Sequence, residues 1–78
     1  MEKDLSGELF SLAITAHLSE NPGCYLMAAK IAHSLGMLSY SIELAWDGLY
    51  AVTIYPNSDI EAELMAIYDE IRKSLPSN

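Results

Sequence analysis

The sequence predicts a small α+β domain of order α-α-β-β-α, organised around a β-hairpin at residues 39–56. Three observations carry this. From Tyr40 to Trp46, the large residues Tyr40, Ile42, Leu44 and Trp46 alternate with Ser41, Glu43 and Ala45, the period-two pattern of a strand with one buried face. Asp47-Gly48 comes next, a pair suited to positive φ at both centres of a type I′ turn. The return run Leu49 to Tyr55 is rich in Val, Ile, Thr and Tyr, and Pro56 ends it because it has no N–H for a ladder. With a two-residue turn, Trp46 faces Leu49, Leu44 faces Ala51, Ile42 faces Thr53 and Tyr40 faces Tyr55. The opposite face is polar on the first strand and apolar on the second, through Tyr50, Val52 and Ile54.

Helices flank the hairpin. Asp4 can cap a first helix from Leu5 to about Ser19. Its polar stripe, Glu8, Ser11, Thr15 and Ser19, is narrow, so this helix needs cover on two sides, either centrally in the domain or at a subunit interface. Asn21 caps a second helix with Pro22 at its first position, and Gly36 stops it after Leu35 in a left-handed conformation. Ala28, Ala29 and Ala32 let a neighbour approach that helix closely, while Lys30, His33 and Ser34 mark its wetter side. Asn57-Ser58-Asp59 turns into a last helix, Asp59 to Ser74, whose stripe Ile60, Leu64, Ile67, Tyr68, Ile71 and Leu75 faces the core. Acids crowd its start and Arg72 and Lys73 its end, as the helix dipole prefers. Residues 76–78 should fray. No linker or repeat divides residues 1–78, so they form a single domain.

Composition narrows the function. The net charge is −7 with only four basic residues, Lys3, Lys30, Arg72 and Lys73. Nucleic acid is held chiefly by cations on phosphates, so direct nucleic-acid binding is disfavoured, and anionic membranes for the same reason. Acidity favours solubility and admits a basic partner. In a chain of 78 residues, 51% hydrophobic content is more than one small core absorbs, which points to a homodimer or a constitutive partner. A single cysteine, Cys24, excludes an internal disulfide. No signal-peptide pattern or membrane-length apolar run is present, so a cytoplasmic location is expected.

Chemistry-bearing patterns are sparse. Cys24, His17 and His33 are the metal-type ligands, without C-x-x-C or H-E-x-x-H spacing. Cys24 stands at a helix N-terminus, where a thiolate is favoured, but no base or oxyanion pattern accompanies it. No Gly-rich phosphate loop is present, and Glu61/Glu63 and Asp69/Glu70 fall on a solvated helix. We therefore expect no catalytic centre, no metal and no cofactor. Met27, Met37 and Met65 read as core filler. Trp46 and Tyr50 crowd the turn beside Asp47, and Trp46 either seals the core or meets a partner.

Residues 10–46 admit a second parse. Ala32, Gly36 four residues on and Ile42 six beyond it, with Ile31, Leu35, Met37 and Ala45 apolar, resemble the helix-turn-helix pattern of bacterial transcription regulators. That resemblance implies a mostly α fold with Ser39–Trp46 as recognition helix. The segment departs from the pattern in lacking Lys and Arg and in carrying Glu43, so such a fold would serve protein contact.

The function read from the sequence is a non-catalytic acidic module that binds a larger protein, a nucleic-acid-binding protein being one such target, as inhibitor or anti-activator. In size and charge it is similar to phage-encoded inhibitors, including anti-CRISPR proteins, whose carboxylates stand where phosphates would. Candidate contact residues are Glu43, Trp46, Asp47 and Tyr50 on the hairpin, with Asp59, Glu61, Glu63 and Glu70 on the last helix. A helix-turn-helix regulator and a structural oligomer subunit are the alternatives.

Overall fold

The computed structural model describes residues 5–75, which form four helices: α1 (Ser6–Ser19), α2 (Pro22–Ser34), α3 (Leu38–Ile54) and α4 (Ser58–Ser74). Helix α2 is central and packs on the other three, most extensively on α3. Among the described residues no helix is long and apolar enough to cross a membrane.

Local chemistry sets most of the boundaries. The Glu20 N–H donates to the Ala16 carbonyl at 2.7 Å and closes α1, with Glu20 itself left-handed at φ 54°. Asn21 caps α2: its Oδ1 accepts the Gly23 N–H at 2.8 Å, and Pro22 opens the helix. Gly36 takes φ 79° between α2 and α3, and the Met37 N–H donates to the Ala32 carbonyl at 2.9 Å. Asn57 caps α4 by accepting the Ile60 N–H at 3.1 Å. In α4, Leu64 and Ile71 are buried and Ile60, Ile67, Tyr68 and Leu75 half-buried, the stripe its periodicity predicts. The Asp4 cap and the fraying of residues 76–78 concern positions outside the described residues.

The α+β expectation is wrong. The described residues contain no strand, and residues 38–54, read above as a hairpin, form α3. The chain order is α-α-α-α. The buried positions of α3 are Ser41, Leu44, Ala45, Gly48, Ala51 and Val52, spaced at three and four residues as one helical face. Ser41 and Ala45, assigned to the polar side of a strand, are fully buried. Tyr55, the residue before Pro56, adopts φ −122°, ψ 81°, because the proline ring excludes the α region there, and α3 ends.

Gly48 does not turn the chain. It is a packing position where α2, α3 and α4 converge. A Cβ built on it would lie 2.9 Å from the Tyr25 Cβ and 2.9 Å from a Leu64 methyl carbon. Glycine inside a helix costs about 1 kcal/mol relative to alanine. Here the close approach it permits offsets that cost. Two turns away, the buried Ser41 hydroxyl donates to the Ala29 carbonyl at 2.7 Å. A small-residue seam of Ala28, Ala29 and Ala32 against Ser41, Ala45 and Gly48 thus joins α2 to α3, all of them buried.

Gly48→Ala tests this seam. Leu64 can move its methyl, but the Tyr25 Cβ is fixed to the α2 backbone. Overpacking of about 1–3 kcal/mol outweighs the helix-propensity gain, so the urea midpoint should fall. A rise in the midpoint would mean that the three helices do not meet at Gly48.

Candidate functional site

In a helix, residues three and four apart share a face. Glu43, Trp46, Asp47 and Tyr50 are spaced in that way along α3, and Ile54 extends the row by one more turn. The helix therefore gathers four of the sequence-predicted contact residues, which a hairpin would have divided between two faces and a turn. Trp46 is 60% exposed, Tyr50 68% and Ile54 44%. Glu43 is exposed and Asp47 half-buried.

Two recesses flank Tyr50. One, about 250 Å³, is almost wholly apolar and lies along Trp46, Leu49, Tyr50 and Thr53. The other, about 300 Å³, is lined by His17, Glu20, Tyr25, Asp47, Tyr50 and Ala51. Trp46 also leans on α4, its ring 5.5 Å from that of Tyr68 and tilted by 36°. One edge of Trp46 is thereby fixed while the rest faces solvent. The alternative that Trp46 seals the core does not hold for a side chain so open.

The second recess contains an interaction that the sequence does not advertise. The Tyr25 hydroxyl is hydrogen-bonded with His17 Nδ1 at 2.9 Å, and the two rings meet edge to face at 5.2 Å. This ties α1 to α2. Burial raises the Tyr25 pKa above 10.0, and the negative charges of Asp47 and Glu20 raise it further. His17 is thus engaged by a tyrosine. His33 stands exposed in the last turn of α2, and Cys24 is a half-buried free thiol at its start. Among the described residues, no three His, Cys, Asp or Glu side chains stand together as a metal site would require. A larger recess, about 450 Å³, lies at the loops around Asn21 and Asn57, with Tyr55 its one titratable side chain.

The acids predicted on α4 do not join the α3 row as a group. Asp59, Glu61, Glu63 and Glu70 are all exposed. Asp59, Glu63 and Glu70 share one side of α4, and Glu63 pairs there with Lys30 of α2 at 3.0 Å. Both partners are more than half exposed, so this pair contributes little to stability. Tyr68, which meets Trp46, lies five residues from Glu63 and so points to another side of the helix. Glu61, seven residues before Tyr68, is the α4 acid on the Trp46 side. Ile54 is the member of the α3 row that sequence reasoning left out, because a hairpin placed it at the end of the second strand, far from the Asp47-Gly48 turn.

Tyr25 makes a prediction about alkaline stability. The unfolded chain releases the tyrosine proton near pH 10, whereas the folded chain holds it to higher pH. Above pH 10 the unfolded state therefore binds fewer protons, and stability falls as pH rises toward the folded pKa. Tyr25→Phe should cost about 1 kcal/mol at neutral pH, through the lost hydrogen bond. It should also flatten the alkaline decline of the urea midpoint relative to the parent chain. An equally steep decline in both proteins would show that Tyr25 is not protected from ionising.

No protein-family model, curated protein or solved structure matches this chain.

Proposed function

We propose that this chain is a non-catalytic protein-binding module that presents the outer face of α3 to a basic surface of a larger protein, acting as an inhibitor or anti-activator. One observation carries the reading. Trp46 and Tyr50 are both mostly exposed, one turn apart, and Glu43 and Asp47 stand on the same face. A single exposed apolar side chain is ordinary, but two aromatic rings in one row beside a groove form a contiguous anchor. Interface energy concentrates in such aromatic anchors, and charges at their rim steer the partner and set its sign. Glu61, the α4 acid on the Trp46 side, adds negative charge beside this patch, while Asp59, Glu63 and Glu70 lie on another side of α4.

The helix-turn-helix alternative has one specific feature in its favour, the succession of α2, Gly36 at φ 79° and α3. Against it, α3 holds Glu43 and Asp47 and no Lys or Arg. Such a helix repels phosphates, so its natural target is a cationic protein surface.

The test is a nuclease-treated capture from lysate of the native host, with wild type and Trp46→Ala/Tyr50→Ala baits run in parallel. The expected outcome is a basic protein retained by wild type and released by added salt. Its affinity should fall at least about 30-fold for the double variant, which corresponds to losing a hot spot of about 2 kcal/mol. Equal retention by both baits would remove the α3 face from the interaction. Salt-dependent binding of the isolated chain to duplex DNA would favour the regulator alternative.

A further inference from the structure

Helix α1 carries a second unpartnered face, and its chemistry is the opposite of that on α3. Its buried residues are Leu9, Ala13 and Ala16, which pack on α2. On the far side Phe10, Ile14 and Leu18 form a ridge at four-residue spacing, 67%, 47% and 82% exposed. The adjacent four-residue row is Gly7, Ser11, Thr15 and Ser19, all small and exposed. Ser19 folds its hydroxyl back onto the Thr15 carbonyl at 2.7 Å, and a Cβ at Gly7 would meet nothing within 4 Å. A ridge of large side chains therefore runs beside a shallow groove. Toward the start of α1, Leu9, Phe10, Met37 and Tyr40 surround a mainly apolar hollow of about 430 Å³.

We infer that this face is the contact between two copies of the chain, related by a two-fold axis, with the α1 helices antiparallel and Leu18 of each copy directed at the Phe10–Met37–Tyr40 hollow of the other. Two features select a second copy over other occupants. The first is charge. From Leu9 to Ser19, α1 has no Asp, Glu, Lys or Arg, in a chain of net charge −7. A basic partner gains nothing by binding there, whereas a like-charged copy meets least repulsion there. The body measures 37 × 32 × 20 Å, and charges beyond about 8 Å are largely screened at physiological salt. The second is self-complementarity. A two-fold contact uses the same patch twice, so the patch must offer both a protrusion and a recess. Leu18 protrudes near the C-terminal end of α1 and the hollow lies at its N-terminal end. Antiparallel helices bring each protrusion to the other copy's recess, ridges settle into grooves, and the helix dipoles oppose.

Sedimentation equilibrium across the micromolar range tests this. Wild type should dimerise, and added salt should leave the dimer unchanged or tighten it. Leu18→Glu buries a carboxylate in the contact and should weaken self-association about a hundredfold. Leu18 is 82% exposed, so circular dichroism should show the same helicity. If helicity drops, Ser11→Glu at an already polar, exposed position provides the same test. Trp46→Ala should leave the dimer intact, which separates this contact from the α3 interaction. A wild-type monomer throughout the range would overturn the inference. So would a dimer that survives both acidic substitutions in a folded chain.

Discussion

The fold depends on how closely α3 can lie against α2 and α4. Gly48 sets that distance, because a single added carbon would collide with the Cβ of Tyr25. The residues along the contact are small in keeping with it: Ala28, Ala29 and Ala32 on one helix, Ser41, Ala45 and Gly48 on the other. Helices that approach this closely gain dispersion contacts between backbones, which a seam of large side chains would prevent. Ser41 adds a hydrogen bond across the seam, so the one polar side chain buried among the described residues is satisfied.

A core built from small residues has a consequence at the surface. Of the fourteen buried hydrophobic residues, seven are alanine, while Phe10, Ile14, Leu18, Met27, Leu35, Met37, Trp46, Tyr50, Ile54, Tyr55 and Met65 are exposed. The apolar excess noted in the composition thus sits outside the core, and six of these eleven residues fall into two rows, on α1 and α3. Large side chains stabilise a fold only where they leave water. In this chain those large side chains stay in water.

Three of the four helices were legible, and the fold class was not. Asn21-Pro22, Gly36 and Asn57 marked real boundaries because capping is local chemistry, and α4 showed its stripe because its far side is strongly polar. The middle failed for a geometric reason. A two-residue hairpin centred on Asp47-Gly48 pairs residues 3, 7, 11 and 15 apart: Trp46 with Leu49, Leu44 with Ala51, Ile42 with Thr53, Tyr40 with Tyr55. Those separations also place residues on one side of an α-helix, so the apolar pairing fitted both structures. The distinguishing signal was the small row Ser41, Ala45, Gly48, which packs a helix but has no purpose as the wet face of a strand. The rival parse of residues 10–46 took 39–46 as helical, and α3 includes them. Glu43, Trp46, Asp47 and Tyr50, the proposed contact residues on α3, stand in the sequence as types, and only the helix brings them onto one surface. The pairing of His17 with Tyr25 was not legible at all, since it depends on how α1 crosses α2.

The two unpartnered faces differ in charge, and this separates their roles more sharply than their shapes do. The α3 row has Glu43 and Asp47 among its aromatics; α1 has no Asp, Glu, Lys or Arg between Leu9 and Ser19. Electrostatic attraction can therefore act at α3 toward a cation-rich surface, while at α1 it is nearly silent and only apolar burial can act. The faces are also mechanically linked. Helix α1 is held mainly through α2, and Tyr25 touches both ends of that link, hydrogen-bonded with His17 and packed at Gly48. Asp47 and Tyr50 line the same recess as His17 and Glu20. The proposed α3 surface thus adjoins the residues that fix α1, and the seam at Gly48 holds both surfaces in their relative positions.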